Sequence, residues 1–470
     1  MLITQFRRQR VRSTVGVLLA ALVLRLMLFA GVLVMNPDGF FETDSREYWQ
    51  IAENLVRNGA YSLSNAPPLV PDHKRTPLYP LFIAAFRCLR LDAAVIIAVQ
   101  IVLSLFAVLT AMELTTKLFG NAAAWAGGLV ATDVPSVVFA GSLLTESVFT
   151  TLLVLGVLLC IESYFSRKPG YCAAGAVVLG LAALCRPVAL FFPGALVAVY
   201  LVADRAPWRL RIGRAALFLG LFLLTLAPWV GRNYLTFGRP MLSTIGDVNM
   251  LEYRAAAVYA ERHRLPLSDA SRLLREKAES TFPGSKDEDP VGFIRHGARE
   301  GRRVILDHPW IYLSNNLRAA LSLLFAPLRS TIDLQLGLSG QGSSLQHWGQ
   351  AEGRGVIPRL MESTSGPTLI LVLFQLLHLL ILWTLLVIGA AESIRSRNLL
   401  GMVLIVVVVT YFLVVTGGPE AYARFRVPLV PFLAAGAGWG AAALGHWISR
   451  KKGRLSFIRK RGTFASFEDR

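Results

Sequence analysis

Long apolar runs separated by short basic stretches organise this chain. The first extends from about Val15 to Met35, and roughly 20 apolar residues are enough for a helix to cross a bilayer. It is preceded by the basic stretch Arg7–Arg12 and followed by NPDGFFETD rather than a small-residue cleavage site, so it reads as an uncleaved first span. Further runs begin near Ala93, Asn121, Leu143, Tyr171, Pro187, Ala215, Thr368, Leu399 and Phe425. The apolar stretch Pro77–Leu89 is too short for an ordinary span and predicts a partial or surface helix. Trp310–Pro327 carries Asn315, Asn316 and Arg318, which suit an interfacial helix. The pattern predicts an all-α polytopic membrane helical bundle with about ten crossings and both termini cytoplasmic.

The sides follow from charge. Ser166–Gly170, Ala203–Arg214, Glu392–Asn398 and the tail Ser449–Gly462 are short and rich in Lys and Arg, which places them in the cytoplasm. Three polar segments then face the other side: 36–76, 231–309 and 329–366, the last with a Gly- and Ser-rich stretch over 337–355 that predicts a mobile loop. No internal repeat is visible, which counts against a transporter built from inverted repeats.

Composition agrees with this class. Of 470 residues, 54% are hydrophobic and 17% charged, which excludes disorder, coiled coil, collagen and a disulfide-rich secreted scaffold. The net charge of +18 would suggest nucleic acid in a soluble protein. Here the cations lie between apolar runs, where cytoplasmic loops and anionic headgroups account for them, so no nucleic-acid partner is expected. Cys88, Cys160, Cys172 and Cys185 are dispersed without a CxxC pair, and the seven histidines lack ligand spacing, so neither a disulfide framework nor a metal site is inferred.

Candidate chemistry concentrates in the first outer loop. Glu42, Asp44 and Glu47 lie just past a span, and Tyr48, Trp49, Ile51, Ala52 and Leu55 then recur at helical spacing, predicting an amphipathic helix on the membrane surface. Asp44 suits a catalytic carboxylate and equally a helix cap. The loop closes on RTPLYP, Arg75 to Pro80, where Arg75 either snorkels to headgroups or grips a lipid-linked phosphate. Arg186, Arg232, Arg424 and Arg426 also fall at outer span ends, where the insertion bias does not explain them. An ionisable group at membrane depth usually faces a polar cavity or a partner, which makes Glu146 a candidate to join them.

An acidic DSxxY motif followed by R-T-P-x-Y-P-L-F resembles the first outer loop of the GT-C glycosyltransferases. The pattern is similar to the dolichyl-phosphate-mannose protein mannosyltransferases and the lipid A aminoarabinose transferases. GSLLTESVFTTLL (Gly141–Leu153), LCRPVALFFP (Leu184–Pro193), APWVGRNYLTFGRP (Ala227–Pro240) and PEAYARFRVPLVPFL (Pro419–Leu433) extend the resemblance in order along the chain. It implies a GT-C-like domain over 1–433, with 434–470 as the end of the last span and a basic tail. It also implies sugar transfer, with inversion, from a polyprenyl-phosphate carrier to a protein, lipid or glycan acceptor outside the cytoplasm, in a cell membrane such as the bacterial inner membrane.

For such a transfer a carboxylate base must take the acceptor's proton, and fixed cations must stabilise the departing phosphate. Asp44 is the expected base with Glu47 as fallback. Arg75 with Arg424 or Arg426 is the expected clamp, and Tyr79, Glu146, Arg186 and Arg232 complete the expected substrate site. No cofactor is assigned, because arginines can supply the charge; a divalent metal stays open, since oligosaccharyltransferases of similar fold use one. The alternatives are a transporter or flippase of lipid-linked sugars and a surface-glycan ligase or polymerase with a diphosphate-linked donor.

Overall fold

The computed structural model describes residues 2–120, 122–328, 330–337 and 366–464. Among these residues the regular structure is helical, apart from one isolated bridge between Ser62 and Pro71. The chain runs through α1 (Leu2–Met35), α2 (Thr43–Asn58), α3 (Leu78–Cys88), α4 (Ala93–Phe119), α5 (Ala123–Thr132), α6 (Val134–Ala140), α7 (Glu146–Ser166), α8 (Pro169–Cys185), α9 (Phe192–Ala203) and α10 (Trp208–Phe237). A polar cap follows: α11 (Ile245–Asn249), a π-helical stretch Met250–Ala255, α12 (Ala256–His263), α13 (Leu267–Thr281) and α14 (Pro290–Asp307). Then come α15 (Pro309–Phe325), α16 (Ser330–Gln335), α17 (Gly366–Arg395), α18 (Leu400–Thr416) and α19 (Val430–Phe464), the last entered through a 3-10 stretch, Ala423–Leu429. Most of the outer segment 329–366, with its Gly- and Ser-rich stretch, lies outside the described residues.

The expected ten crossings are corrected. Among the described residues six helices are long and apolar enough to span: Val11–Met35, Ala93–Phe119, Glu146–Ser166, Trp208–Phe237, Leu369–Arg395 and Ala423–Arg450. A seventh is reached only if α5 and α6, bent by 62° at Asp133, count as one. There Asp133 leaves the helical conformation and caps α6 by accepting from Ser136 N–H, with Pro135 in the first turn. The run from Tyr171 to Ala203 is cut by Arg186-Pro187 into helices of 17 and 12 residues. Seventeen residues rise only about 25 Å, against a hydrocarbon core of about 30 Å. The helix Leu400–Thr416, also 17 residues, falls short for the same reason. Six long apolar helices still make this a multi-pass membrane protein.

The bundle has two chemically different ends. At one, Tyr164 OH donates to the Ala203 carbonyl, Arg167 pairs with Asp204, and Asn398 donates to the Leu118 carbonyl. This end therefore gathers the basic connections 166–170, 203–214 and 392–398. At the other, the Thr76 hydroxyl donates to the Cys185 carbonyl and Leu143 N–H to the Phe40 carbonyl. The polar cap has a small core of its own, with Leu251, Ala255, Ala270, Leu274 and Ala278. Arg254 fastens it to the second end by donating to the Val415 carbonyl at 2.6 Å.

Close packing of α17 on α19 depends on small residues. A Cβ on Gly440 would overlap the Leu385 carbonyl, and one on Gly389 would overlap that of Gly436. In lipid, helices associate through such close backbone approach rather than through a hydrophobic driving force. Gly440→Val is therefore expected to lower the thermal unfolding temperature in detergent, at a cost of about 1–3 kcal/mol for overpacking. An unchanged melting curve would show that the two helices separate without cost.

Candidate active site

The residues at the second end are positioned by local backbone chemistry. Glu42 is the extended N-cap of α2, and its N–H donates to the Ser45 hydroxyl. Asp44, Glu47 and Tyr48 follow in the first turns, at spacings that bring side chains onto a shared helix face. The return loop is held by Asp72, whose carboxylate accepts from the N–H groups of Lys74 and Arg75, and by Tyr61 OH, which donates to the carbonyls of Arg75 and Thr76. Pro187 forces its predecessor out of the helix, so Arg186 leaves α8 with φ −140° and ψ 122°. Glu146 opens α7, where the helix dipole favours an anion. Arg424 lies on the 3-10 stretch before α19.

These side chains converge. Arg75 Nη2 donates to Asp44 Oδ1 at 2.6 Å, and Arg424 Nη1 donates to Asp44 Oδ2 at 3.0 Å. Asp44 thus bridges two guanidiniums carried by segments almost 350 residues apart, as the numbering of Arg75 and Arg424 shows. Arg424 Nε also donates to Glu146 Oε1, which receives Arg186 Nη1 at 2.5 Å. Arg75 Nε donates to Glu47 Oε2 at 2.6 Å, and Lys74 pairs with the other Glu47 oxygen at 2.9 Å. Tyr48 OH accepts from Arg75 Nη1 at 3.2 Å. Glu146 is fully buried, whereas the Asp44 side chain is 33% exposed.

Burial alone would raise the Asp44 carboxyl, but Arg424 and Arg75 overcome it and hold the group well below the usual carboxylate range. Glu42 behaves oppositely. Its burial, reinforced by Glu146 and Asp44 and only partly offset by Arg424, pushes its carboxyl up to about 7. Glu42 Oε2 lies 4.0 Å from Arg424, and its other oxygen is buried without a partner. Above pH 7 an ionised Glu42 therefore competes with any anion that approaches Arg424. A bound anion would raise the Glu42 carboxyl further, so binding takes up a proton and weakens as pH rises through about 7. A phosphodiester ligand of pH-independent charge is expected to bind up to about tenfold more weakly at pH 8 than at pH 6, because uptake of a single proton changes affinity by no more than about a decade for each pH step above neutrality. Glu42→Gln should flatten that profile in a titration at both pH values; an unaltered slope would exclude Glu42 as its source.

Asp44, Glu47, Arg75, Glu146, Arg186 and Arg424 therefore share one crevice, and three expected members do not join it. Tyr79 is buried beneath, donating to Gln100 and meeting the Tyr48 ring edge-on. Arg232 lies over the rings of Tyr61, Trp229 and Phe237 and donates to the Asp72 carbonyl, so it fixes the loop from behind. Arg426 turns away and donates to the carbonyls of Leu323, Leu324 and Ala326 at the end of α15. Lys74 joins the crevice without any sequence signal that marks it, Tyr48 enters as the tyrosine of the DSxxY motif although it is not among the expected site residues, and Glu42 stands out in the sequence only as one of three neighbouring acids. Asp44 does not cap α2, because Glu42 holds that position. Among the described residues no group of three His, Cys, Asp or Glu side chains is arranged to hold a metal ion.

Residues 74–230 match the sequence model of the dolichyl-phosphate-mannose-protein mannosyltransferases, a third of the chain. No curated protein matches by sequence. Among solved structures, the archaeal oligosaccharyltransferase AglB from Archaeoglobus fulgidus, in complex with an inhibitory peptide and a dolichol-phosphate, superposes with TM-score 0.53 at 13% identity, over 94% of this chain and 51% of that one. The apo form of the Archaeoglobus fulgidus oligosaccharyltransferase gives 0.50 at 13% identity, over 95% and 52%. ArnT from Cupriavidus metallidurans bound to undecaprenyl phosphate gives 0.40 at 16% identity, over 90% and 78%, a score too low to argue from. The chain spans about half the length of the archaeal protein. The all-helical fold is thus similar to that of the archaeal oligosaccharyltransferase.

Proposed function

We propose that this chain is a membrane glycosyltransferase that moves a sugar from a polyprenyl-phosphate carrier to an acceptor hydroxyl or amine, with inversion at the anomeric carbon. The observation that carries this reading is Asp44 held between Arg75 and Arg424 with a third of its side chain exposed. The matched mannosyltransferase model and the archaeal fold support the donor class. The crevice lies at the end of the bundle opposite the basic connections, which the positive-inside rule assigns to the extracytoplasmic side.

In this reading Asp44 occupies the phosphate's place in the resting crevice. A donor phosphate draws Arg75 and Arg424 to itself, and Asp44, relieved of both cations, regains the basicity of an ordinary carboxylate. The acceptor's nucleophilic atom attacks the anomeric carbon as its proton passes to Asp44. The bond from that carbon to the phosphate oxygen breaks, its electron pair staying with the phosphate. Arg75 and Arg424 then balance the charge that develops, where fixed dipoles and cations act most strongly. Arg186 and Glu146 hold Arg424 in place, while Glu47 and Lys74 do the same for Arg75.

The test is incubation of the purified protein in lipid discs with a labelled polyprenyl-phosphate sugar and membrane acceptors. The expected outcome is acceptor-dependent release of the free carrier phosphate. Uptake of intact donor into proteoliposomes without cleavage, or consumption of a diphosphate-linked donor alone, would overturn the proposal.

A further inference from the structure

Behind the crevice, a small cavity of about 20 Å³ reaches from Glu146 to the middle of α1, where Arg25 is buried. A guanidinium at that depth in a span is costly unless it meets polar groups. Arg25 donates from Nε to the Ser104 hydroxyl at 2.7 Å and from Nη1 to the carbonyls of Ala21 and Ala131. The crevice reading gives it no task. On the far side of the same cavity, Glu146 spends Oε1 on Arg186 and Arg424, while its Oε2 is buried without a protein partner. The Thr150 hydroxyl, one helical turn further along α7 and also lining the cavity, is buried and unpartnered as well.

We infer that this cavity binds a water molecule, and that through it Arg25 acts as a positioning residue for Glu146 and hence for the two guanidiniums of the crevice. The space is sufficient, since a cavity of roughly 10–15 Å³ by this measure admits one water. The chemistry is complementary: the water donates to Glu146 Oε2, exchanges a hydrogen bond with the Thr150 hydroxyl, and accepts from Arg25. A buried carboxylate oxygen left without any partner would cost its full desolvation, whereas a bridging water satisfies it almost as well as a direct contact. The bridge extends the chain of contacts from Arg424 through Glu146 to α1, so the crevice is braced from inside the bundle as well as from its loops.

The role given to Arg25 rests on the crevice being the donor-phosphate site; the water itself does not. A high-resolution experimental map should contain a density peak within hydrogen-bonding distance of both Glu146 Oε2 and Thr150 Oγ1, and an empty cavity there overturns the inference. Thr150→Val keeps the shape and removes one partner of the water. It is expected to weaken binding of undecaprenyl phosphate on the order of fivefold, the value of one hydrogen bond, without lowering the unfolding temperature. Arg25→Met should weaken it at least as much, Arg25→Lys should restore part of the loss, and Thr150→Val combined with Arg25→Met should be no worse than Arg25→Met alone. Additive losses, or unchanged binding in both single variants, would sink the positioning role. Should the unaltered protein not bind the carrier phosphate at all, the functional reading fails while the density peak still decides the water.

Discussion

Asp44→Asn is expected to reduce turnover by about a thousandfold while tightening the grip on the donor. Removing a general base typically costs about 10²–10⁴ in rate. The second effect follows from the geometry. Asp44 offers one oxygen to Arg75 and the other to Arg424, and a donor phosphate must displace both contacts. An asparagine competes for those guanidiniums without a charge, so the dissociation constant for the carrier phosphate should fall several-fold as kcat collapses. The fold should survive, because Arg424 keeps Glu146 and Arg75 keeps Glu47. Single-turnover kinetics beside equilibrium binding separate the two effects. Loss of donor affinity in step with rate would show that Asp44 binds substrate rather than taking its proton, and undiminished turnover would pass the role of base to Glu47.

Chemistry made the crevice partly legible in the sequence. Arginines on the side of the membrane that insertion does not favour had to be explained by partners, and acids at neighbouring span ends were the available ones. What the sequence could not specify was direction. Arg424 and Arg426 stand two residues apart on a 3-10 stretch, where two residues turn about 240°, so one faces Asp44 while the other faces the carbonyls ending α15. Their spacing alone says they diverge but not which one faces inward. Arg232 misled for another reason: an arginine beside P-W at a span end looks like a phosphate ligand until the rings of Tyr61 and Phe237 are seen beside it. Glu42 escaped because an acid preceding a helix is ordinary; only its burial beside Arg424, Asp44 and Glu146 sets it apart.

The spans show the same division. Apolar length located the six long helices, and each run that was overcounted contains or adjoins a residue that ends a helix from within. Asp133 accepts a cap bond in mid-run, Pro187 forbids the conformation its neighbour would need, and Gly417-Gly418-Pro419 stops α18 before it is long enough. Hydropathy averages over such residues. They also make the site, since the break at Pro187 is what frees Arg186 to reach Glu146.

Arg424→Lys is expected to cost transfer about 10²–10³ in kcat/KM, although charge is conserved. Among the described residues Arg424 is the one group that touches both Glu146 and Asp44, from Nε on one edge and Nη1 on the other. A planar fork can face two acceptors at once, whereas an ammonium is a point charge that must choose. Lysine should settle on the fully buried Glu146, because an unpaired carboxylate costs most where water is excluded. Asp44 would then keep only Arg75, and the leaving phosphate would lose one of its two cations. Arg424→Gln should do more, leaving Glu146 with Arg186 alone and the crevice short of one positive charge; breaking a buried pair in this way costs about 3–5 kcal/mol of stability. The contrast between the two is the informative measurement. If lysine retains both activity and melting temperature, the crevice needs only net charge at this position, and the geometric account of how Asp44 is held until the donor arrives is wrong.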